Sequence, residues 1–575
     1  MPDRDSLFLP IAQKHRLRGI APPFPIRDGN RITPMILAQE MYPALERMAL
    51  GARQRLFLAF RIFDPKTATR SPDALALGLE NWGQLLRHTV ERGVVVKLLL
   101  ADFEPTVAHH LHGGSWTTFR RMREIAETLD PDALERFEMI IAQHPGELGW
   151  LPRQLLRLPI GLAVRKTIAG LDPQEADRLM DVRPGLWRYH RKVDGQPQFR
   201  RGPAPRLWPA IHHHKFAVAD DIIAIVGGID VDERRWDTRS HQLPAPQSWH
   251  DISVQVEGPA AGDAAEHFRR LWNAELPRYV EITRHWMSGA ERTLTVEPLD
   301  SIPDPVIVPA PIAGAAGRAQ MLRTASVRSG RILAVRPRKQ VRELMQAHRR
   351  LIFSARKLLY IEAQFFRSRR AASWVVEAAR GNPQLAVIVL LPQAPEEVAF
   401  NGERKNPAHQ HGEWLQARAL GHMRRRLGAR LGLYSLGRNA PMTEAERKVA
   451  SDRGAAFGAG IIYVHSKLLI ADDRAALVSS ANINGRSFGW DSEFGILWEE
   501  PDAVEAFRRK LWSQLLGCRP RDVPGLTEAG AYWADLANAN VVIAPEERTG
   551  FVLPYRYASV RRFGRPAWFL PDDLV

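Results

Sequence analysis

A chain of 575 residues exceeds what one small core requires, and 45% hydrophobic with 25% charged residues is the make-up of an ordered globular protein, not a disordered one. Its single cysteine, Cys518, excludes an intrachain disulfide and a cysteine-built metal site, which suits a reducing compartment. The formal net charge of +16, mostly arginine, points to anionic partners such as phosphate-bearing lipids, nucleic acid or membrane surfaces, although an arginine-rich high-GC bacterial proteome accounts for it equally well.

The opening Met1-Pro2-Asp3-Arg4-Asp5 lacks the basic-then-apolar pattern of a secretory signal, and no apolar run approaches the roughly 20 residues of a spanning helix. A soluble protein, cytoplasmic as synthesised, is the expectation. Leu56 to Phe60 predicts a buried strand ending at Asp64-Pro65, followed by a helical stretch and a second strand over Val94 to Leu100. A stretch of about 104–207 then intervenes as a helical insertion. Within it, Leu148 to Leu171 mixes apolar residues with Arg153, Arg157, Arg165 and Lys166. The expected arrangement is a helix packed on its own domain; a lipid-headgroup interface is the alternative.

The elements then recur. Lys357 to Glu362 predicts a strand, Ala371 to Arg380 a helix, and Leu385 to Leu391 another strand ending at Pro392. Apolar strands alternating with amphipathic helices imply an α/β fold with a largely parallel or mixed sheet, built twice. A Pro- and Ala-rich segment divides the copies. The expected domains are 1–296, a linker at 297–318, and 319–575.

Each half carries the same motif. The first reads Ile211-His212-His213-His214-Lys215, with Asp220 five residues on and Gly227-Gly228-Ile229-Asp230 beyond it. The second reads Val464-His465-Ser466-Lys467, with Asp472 and then Ser479-Ser480-Ala481-Asn482 in identical register. Residues two apart on a strand share a face, so each His and Lys should point into one cleft. A phosphodiester needs fixed positive charge at its nonbridging oxygens, which Lys215 and Lys467 supply. It also needs a nucleophile and a proton for the leaving oxygen, and imidazole serves either purpose near neutral pH. The run of three histidines by itself also suggests a metal site.

Several blocks resemble the phospholipase D superfamily, in the branch of eukaryotic-type phosphatidylcholine-cleaving enzymes and their bacterial relatives. They include Gly227 to Asp230 with Arg235-Trp236-Asp237-Thr238, Trp249-His250-Asp251, Tyr360-Ile361-Glu362-Ala363-Gln364-Phe365-Phe366, and Ser480 to Ser487 with Asp491-Ser492-Glu493. The resemblance runs from about Asp28 to Leu516 outside the insertion. Ser479 stands where the family usually has Gly, and Ala363 where it has Asn. No segment resembles a phosphoinositide- or calcium-binding module.

The resemblance implies two similar α/β/α sandwich halves packed around one shared active site. It makes His213 the nucleophile and His465 the general acid and base. Lys215, Lys467, Asn482 and Asp230 would line the phosphate site, and Asp251 and Glu493 would orient the imidazoles. Asp220 and Asp472, counted with the catalytic motif, are read as braces. The implied reaction is hydrolysis of the distal phosphodiester of glycerophospholipids to phosphatidic acid and headgroup, through a phosphohistidine that also transfers to alcohols. No cofactor and no metal are expected. The expected partner is a phospholipid membrane surface, with a secretion apparatus or chaperone if the protein is an effector exported without a signal peptide. Nucleic acid is disfavoured and a monomer expected. A nuclease, a cardiolipin synthase-like transferase and an inactive lipid-binding scaffold are the alternatives.

Overall fold

Apolar runs without polar alternation become strands buried on both faces. In the computed structural model, which describes residues 7–10, 22–201, 205–286, 299–303, 305–449 and 453–575, the first half contributes β1 (Arg27–Ile36), β2 (Arg55–Phe60), β3 (Val95–Ala101), β4 (Phe137–Ala142), β5 (Phe216–Ala219), β6 (Ile223–Gly227) and β7 (Ile252–Glu257). The second contributes β8 (Gly317–Val327), β9 (Leu358–Ala363), β10 (Ala386–Leu390), β11 (Leu431–Pro441), β12 (Lys467–Ala471), β13 (Ala475–Ser479) and β14 (Glu493–Glu499).

The first half is ordered β4-β3-β2-β5-β6-β7-β1 and the second β11-β10-β9-β12-β13-β14-β8. Each strand thus has a counterpart at the same place in the other half. In both halves the first three strands of this order are parallel and the remaining pairings antiparallel. The sheet is therefore mixed, and the architecture is the duplicated α/β one expected from sequence. The two sheets join where β1 pairs antiparallel with its own counterpart β8, through Arg27↔Ala319 and Asn30↔Gly317.

Helices α1 (Leu37–Gly51), α2 (Trp82–Glu91), α3 (Trp150–Ile168) and α4 (Pro259–Trp286) belong to the first half, and α5 (Glu343–Ser354), α6 (Arg369–Gly381) and α7 (Pro501–Leu516) to the second. One large apolar cluster crosses the boundary, with Phe57, Leu98 and Phe268 of one half and Tyr360, Ile388 and Trp498 of the other, and a smaller one packs Trp249 with Phe400 and Tyr463.

Two sequence expectations need correction. The segment 104–207 is not one insertion, because the helix His109–Ala126 and β4 belong to the core, and β4 pairs parallel with β3 from Val96↔Phe137 to Ala101↔Ala142. Glu138 inside that strand disguised it. It is buried, pairs with Lys97 and accepts from the Asp300 N–H at 2.7 Å. The true excess follows β4. Second, α3 packs on its own domain through only part of its apolar surface. Leu155, Leu158 and Leu162 are 69%, 66% and 65% exposed, and only Val164 and Ile168 are buried.

Glu297, Pro298 and Asp304 of the linker lie outside the described residues. The rest runs along the first half, with Ile302 buried and Ile312 N–H donating to Gly29 O at 2.8 Å. Gly317 and Arg318, assigned to the linker from sequence, already belong to β8.

Candidate active site

The two motifs do not lie on strands in the way the spacing suggests. β12 opens at Lys467, and β5 opens one residue after Lys215, so both histidines precede their strands. The reason is a change of partner. Strand pairing ends at Phe216 on β2 and at Lys467 on β9, and each histidine's backbone turns to the opposite half. His213 N–H donates to Ser492 O at 2.8 Å, and His465 N–H donates to His250 O at 2.8 Å.

Those acceptors immediately precede the two carboxylates. His213 Nδ1 lies 2.9 Å from Glu493 Oε2, and His465 Nδ1 lies 2.6 Å from Asp251 Oδ2. Each imidazole is therefore oriented by a carboxylate of the other half. With Nδ1 engaged, Nε2 is the nitrogen left to a substrate. Ser480 Oγ donates to the same Glu493 oxygen at 2.5 Å. In the first half Gly228 occupies the matching turn, where a Cβ would meet Asp251 Oδ1 at 2.2 Å.

The lysines complete the floor of the site. Lys215 Nζ donates to His213 O at 3.2 Å and lies 3.5 Å from Asp230 Oδ2. Lys467 Nζ donates to His465 O and to Gln364 Oε1, the latter at 3.4 Å. Gln364 also accepts from Asn482 Nδ2 at 3.2 Å. Asp230 and Asn482 are counterparts in position and in use. Asp230 Oδ1 accepts from the Arg61 and Ile62 N–H groups, and Asn482 Oδ1 from the Phe365 N–H. Arg61, Gln364, Ser480 and Arg235, whose charge helps to lower His465, were not singled out from sequence. Gln364, Arg235 and Ser480 lay within quoted blocks, and Arg61 directly follows the strand-forming run at Phe60.

Burial sets the electrostatics. It holds both imidazoles well below their usual range, with Lys215 adding to the effect at His213 and Lys467 at His465. It pushes Glu493 up to about 8, helped by Asp491, and raises Asp251. It lowers both lysines as well. Low-dielectric surroundings thus favour the neutral form of every one of these groups. An anionic phosphodiester placed among them would restore charge to the lysines and to an acid imidazole.

Asp220 and Asp472 face away from this chemistry. Asp220 accepts from the N–H groups of Arg53, Gln54 and Arg55 at 2.8–2.9 Å, and Asp472 from those of Arg356, Lys357 and Leu358 at 2.7–2.9 Å. Both sit at positive φ, 50° and 52°, and tie the turn after the motif strand to the start of β2 or β9. They are braces, and their place in the catalytic set is corrected accordingly. His212 and His214 point away from His213 into a buried group with His144 and His267. Among the described residues, no group of three or more His, Cys, Asp or Glu side chains is arranged to hold a metal ion.

The family model described as "Cardiolipin synthase, PLD-like domain" matches residues 349–515. Phospholipase D alpha 2 of Oryza sativa subsp. japonica is 24% identical over 412 residues, covering 53% of this chain and 49% of the relative. Phospholipase D1 of Homo sapiens is 27% identical over 282 residues, covering 44% of this chain and 24% of the relative. The matches thus span about half the length of the rice relative and about a quarter of the human one. Among solved structures, phosphatidylserine synthase of Haemophilus influenzae Rd KW20 aligns over 84% of this chain and 85% of that one, at 13% identity and a TM-score of 0.47. The family-model match over residues 349–515 and the sequence similarity to these phospholipases D together support the phospholipase D superfamily.

Proposed function

We propose that the protein is a phospholipase D that cleaves the distal phosphodiester of glycerophospholipids. The observation that carries this reading is the pair of histidines, each held at Nδ1 by a carboxylate of the opposite half and flanked by a lysine. His213 Nε2 attacks phosphorus while the bond to the headgroup oxygen breaks, and His465 Nε2–H gives its proton to that oxygen. Water, deprotonated by His465, then attacks the phosphohistidine and releases phosphatidic acid and a regenerated His213. Lys215, Lys467 and Asn482 are placed to hold the nonbridging oxygens, where charge builds in both transition states. Asp251 and Glu493 fix the tautomers and stabilise the imidazolium as it forms.

A cavity of about 270 Å³ opens beside Arg61, walled by Phe63, Phe103, Leu111 and Thr118, and suits an amphiphilic substrate. A transferase reading is favoured by one observation, the cardiolipin synthase description of the matching family model. The two readings differ only in whether water or an alcohol takes the phosphatidyl group.

The test is headgroup release from vesicles of phosphatidylcholine, phosphatidylethanolamine, phosphatidylglycerol and cardiolipin, with and without a primary alcohol and EDTA. His213→Ala and His465→Ala should each abolish release, which should survive EDTA. Full activity in either variant would sink the shared site, and cleavage of DNA in place of lipid would move the reading to a nuclease.

A further inference from the structure

Among the described residues, exposed large apolar side chains concentrate on α3 and on the loop 328–337. On α3, Leu155, Leu158 and Leu162 follow the i, i+3, i+7 spacing of one outward face, while Val164 and Ile168 hold the opposite face to the protein. On the loop, Ile332, Leu333 and Val335 are 65%, 67% and 58% exposed. The two segments form one surface. Gly149 N–H donates to Ala334 O at 2.7 Å and Leu151 N–H to Ile332 O at 3.0 Å. Their approach requires the glycine, since a Cβ there would meet the loop backbone at 2.6 Å.

This surface stands beside the catalytic cleft. The loop leaves β8 just beyond Thr324, which pairs with Glu493, and Ser326 Oγ donates to Trp490 O. The chain entering α3 carries His144, whose Nε2 lies 2.9 Å from Ser492 Oγ, next to the dyad of His213.

Charge identifies the occupant. α3 carries Arg153, Arg157, Arg165 and Lys166 and no acidic residue, and 328–338 carries Arg328, Arg331, Arg336 and Arg338 and likewise none. A second copy of this face would be repelled. Between α3 and the strand Gln196–Phe199 lies a cavity of about 150 Å³ lined by Arg157, Arg165, Arg201, Tyr189 and Phe199. Among the described residues, Arg165 and Arg201 make no ion pair and the buried Tyr189 hydroxyl has no hydrogen-bond partner. Cations and a hydroxyl donor around a slot of this size suit a headgroup phosphate.

We propose that α3 and the loop 328–337 form a docking face for an anionic phospholipid bilayer. The leucines, Ile332 and Leu333 enter the boundary between headgroups and acyl chains, the arginines meet lipid phosphates, and the arginine-lined slot seats one headgroup. The inference rests on the phospholipase reading only for its purpose, which is to bring the cleft to its substrate.

The test is co-sedimentation of the full chain with phosphatidylcholine vesicles, with and without phosphatidylglycerol. The wild type should bind the phosphatidylglycerol vesicles more tightly and release them at high salt. Leu155→Ser, Leu158→Ser and Leu162→Ser together should weaken binding about 100-fold without changing thermal stability, the sites being exposed. Ile332→Ser with Leu333→Ser tests the loop independently of helix stability, and Arg165→Glu with Arg201→Glu should erase the preference for phosphatidylglycerol. A wild type that binds neither vesicle, or serine variants that bind as it does, would overturn the proposal. So would a wild-type dimer that the serine variants break while vesicle binding persists. Vesicle binding with no headgroup release from any lipid would overturn the phospholipase reading instead and leave the docking face standing.

Discussion

Asp251 and His465 lie 214 positions apart in the chain and 2.6 Å apart in space, and Glu493 and His213 repeat the arrangement across 280 positions. Neither half holds the carboxylate of its own histidine. Asp251→Asn should therefore disturb His465 and leave His213 alone, with Glu493→Gln doing the converse. We expect kcat to fall on the order of 10³-fold in each. Imidazole NMR signals would show which ring has changed; a shift of the histidine in the variant's own half would contradict the crossed arrangement.

Asp220→Ala and Asp472→Ala should behave differently. Each removes an acceptor for three backbone N–H groups. The expected cost is about 2–4 kcal/mol of stability, with kcat per folded molecule close to wild type. Urea unfolding and active-site titration separate the two effects, and a collapse of kcat at undiminished stability would return these aspartates to the chemistry.

Glu493 makes stability depend on pH in a definite direction. Its folded value of about 8 lies above the ordinary 4.5, so the folded state holds the proton more tightly. That contribution is full below pH 4.5 and is lost as pH climbs through 8. The lowered His213 and His465 act oppositely, their contribution being present above pH 6.5 and lost on acidification. Glu493→Gln removes the first effect, and above pH 6.5 the disturbed His213 is neutral in both states and adds no slope of its own. Between pH 6.5 and 8 the wild type should lose about 2 kcal/mol relative to the variant. Denaturant titrations at several pH values measure this, and a pH-independent difference would rule it out.

Ser479 is accommodated by an exchange across the strand pair. In the first half Gly227 faces Ser253, and in the second Ser479 faces Gly495, so one small residue and one serine share each position in opposite order. A Cβ on Gly495 would meet that of Ser479 at 2.4 Å. Gly495→Ser should cost about 1–3 kcal/mol, and adding Ser479→Gly should recover most of it. Additive losses in that double-mutant cycle would mean the two sites are not coupled.

Much of this was legible in the sequence, because the motifs are local. The His, Lys and Asp spacing, the small turns at Gly227 and Ser479, and the apolar runs at Leu56 and Leu358 each depend on a few neighbouring residues. The crossing of the dyads was not legible, since nothing near His213 encodes a partner 280 positions away. β4 escaped notice because Glu138 broke its apolar run, and only the fold reveals Lys97 beside it. The exposure of Leu155, Leu158 and Leu162 was hidden for a related reason. An amphipathic helix shows which face is apolar and not what that face meets.

The crossed carboxylates also give the chain a temporal property. His213 leaves the ribosome 280 residues before Glu493. At ordinary translation speeds of about 5–20 residues per second, that is roughly 14–56 s during which the first histidine has no orienting partner. Growing chains and prematurely terminated products carry His213 in an unfinished site. A cell making this protein is exposed to its chemistry only once both halves exist and have met.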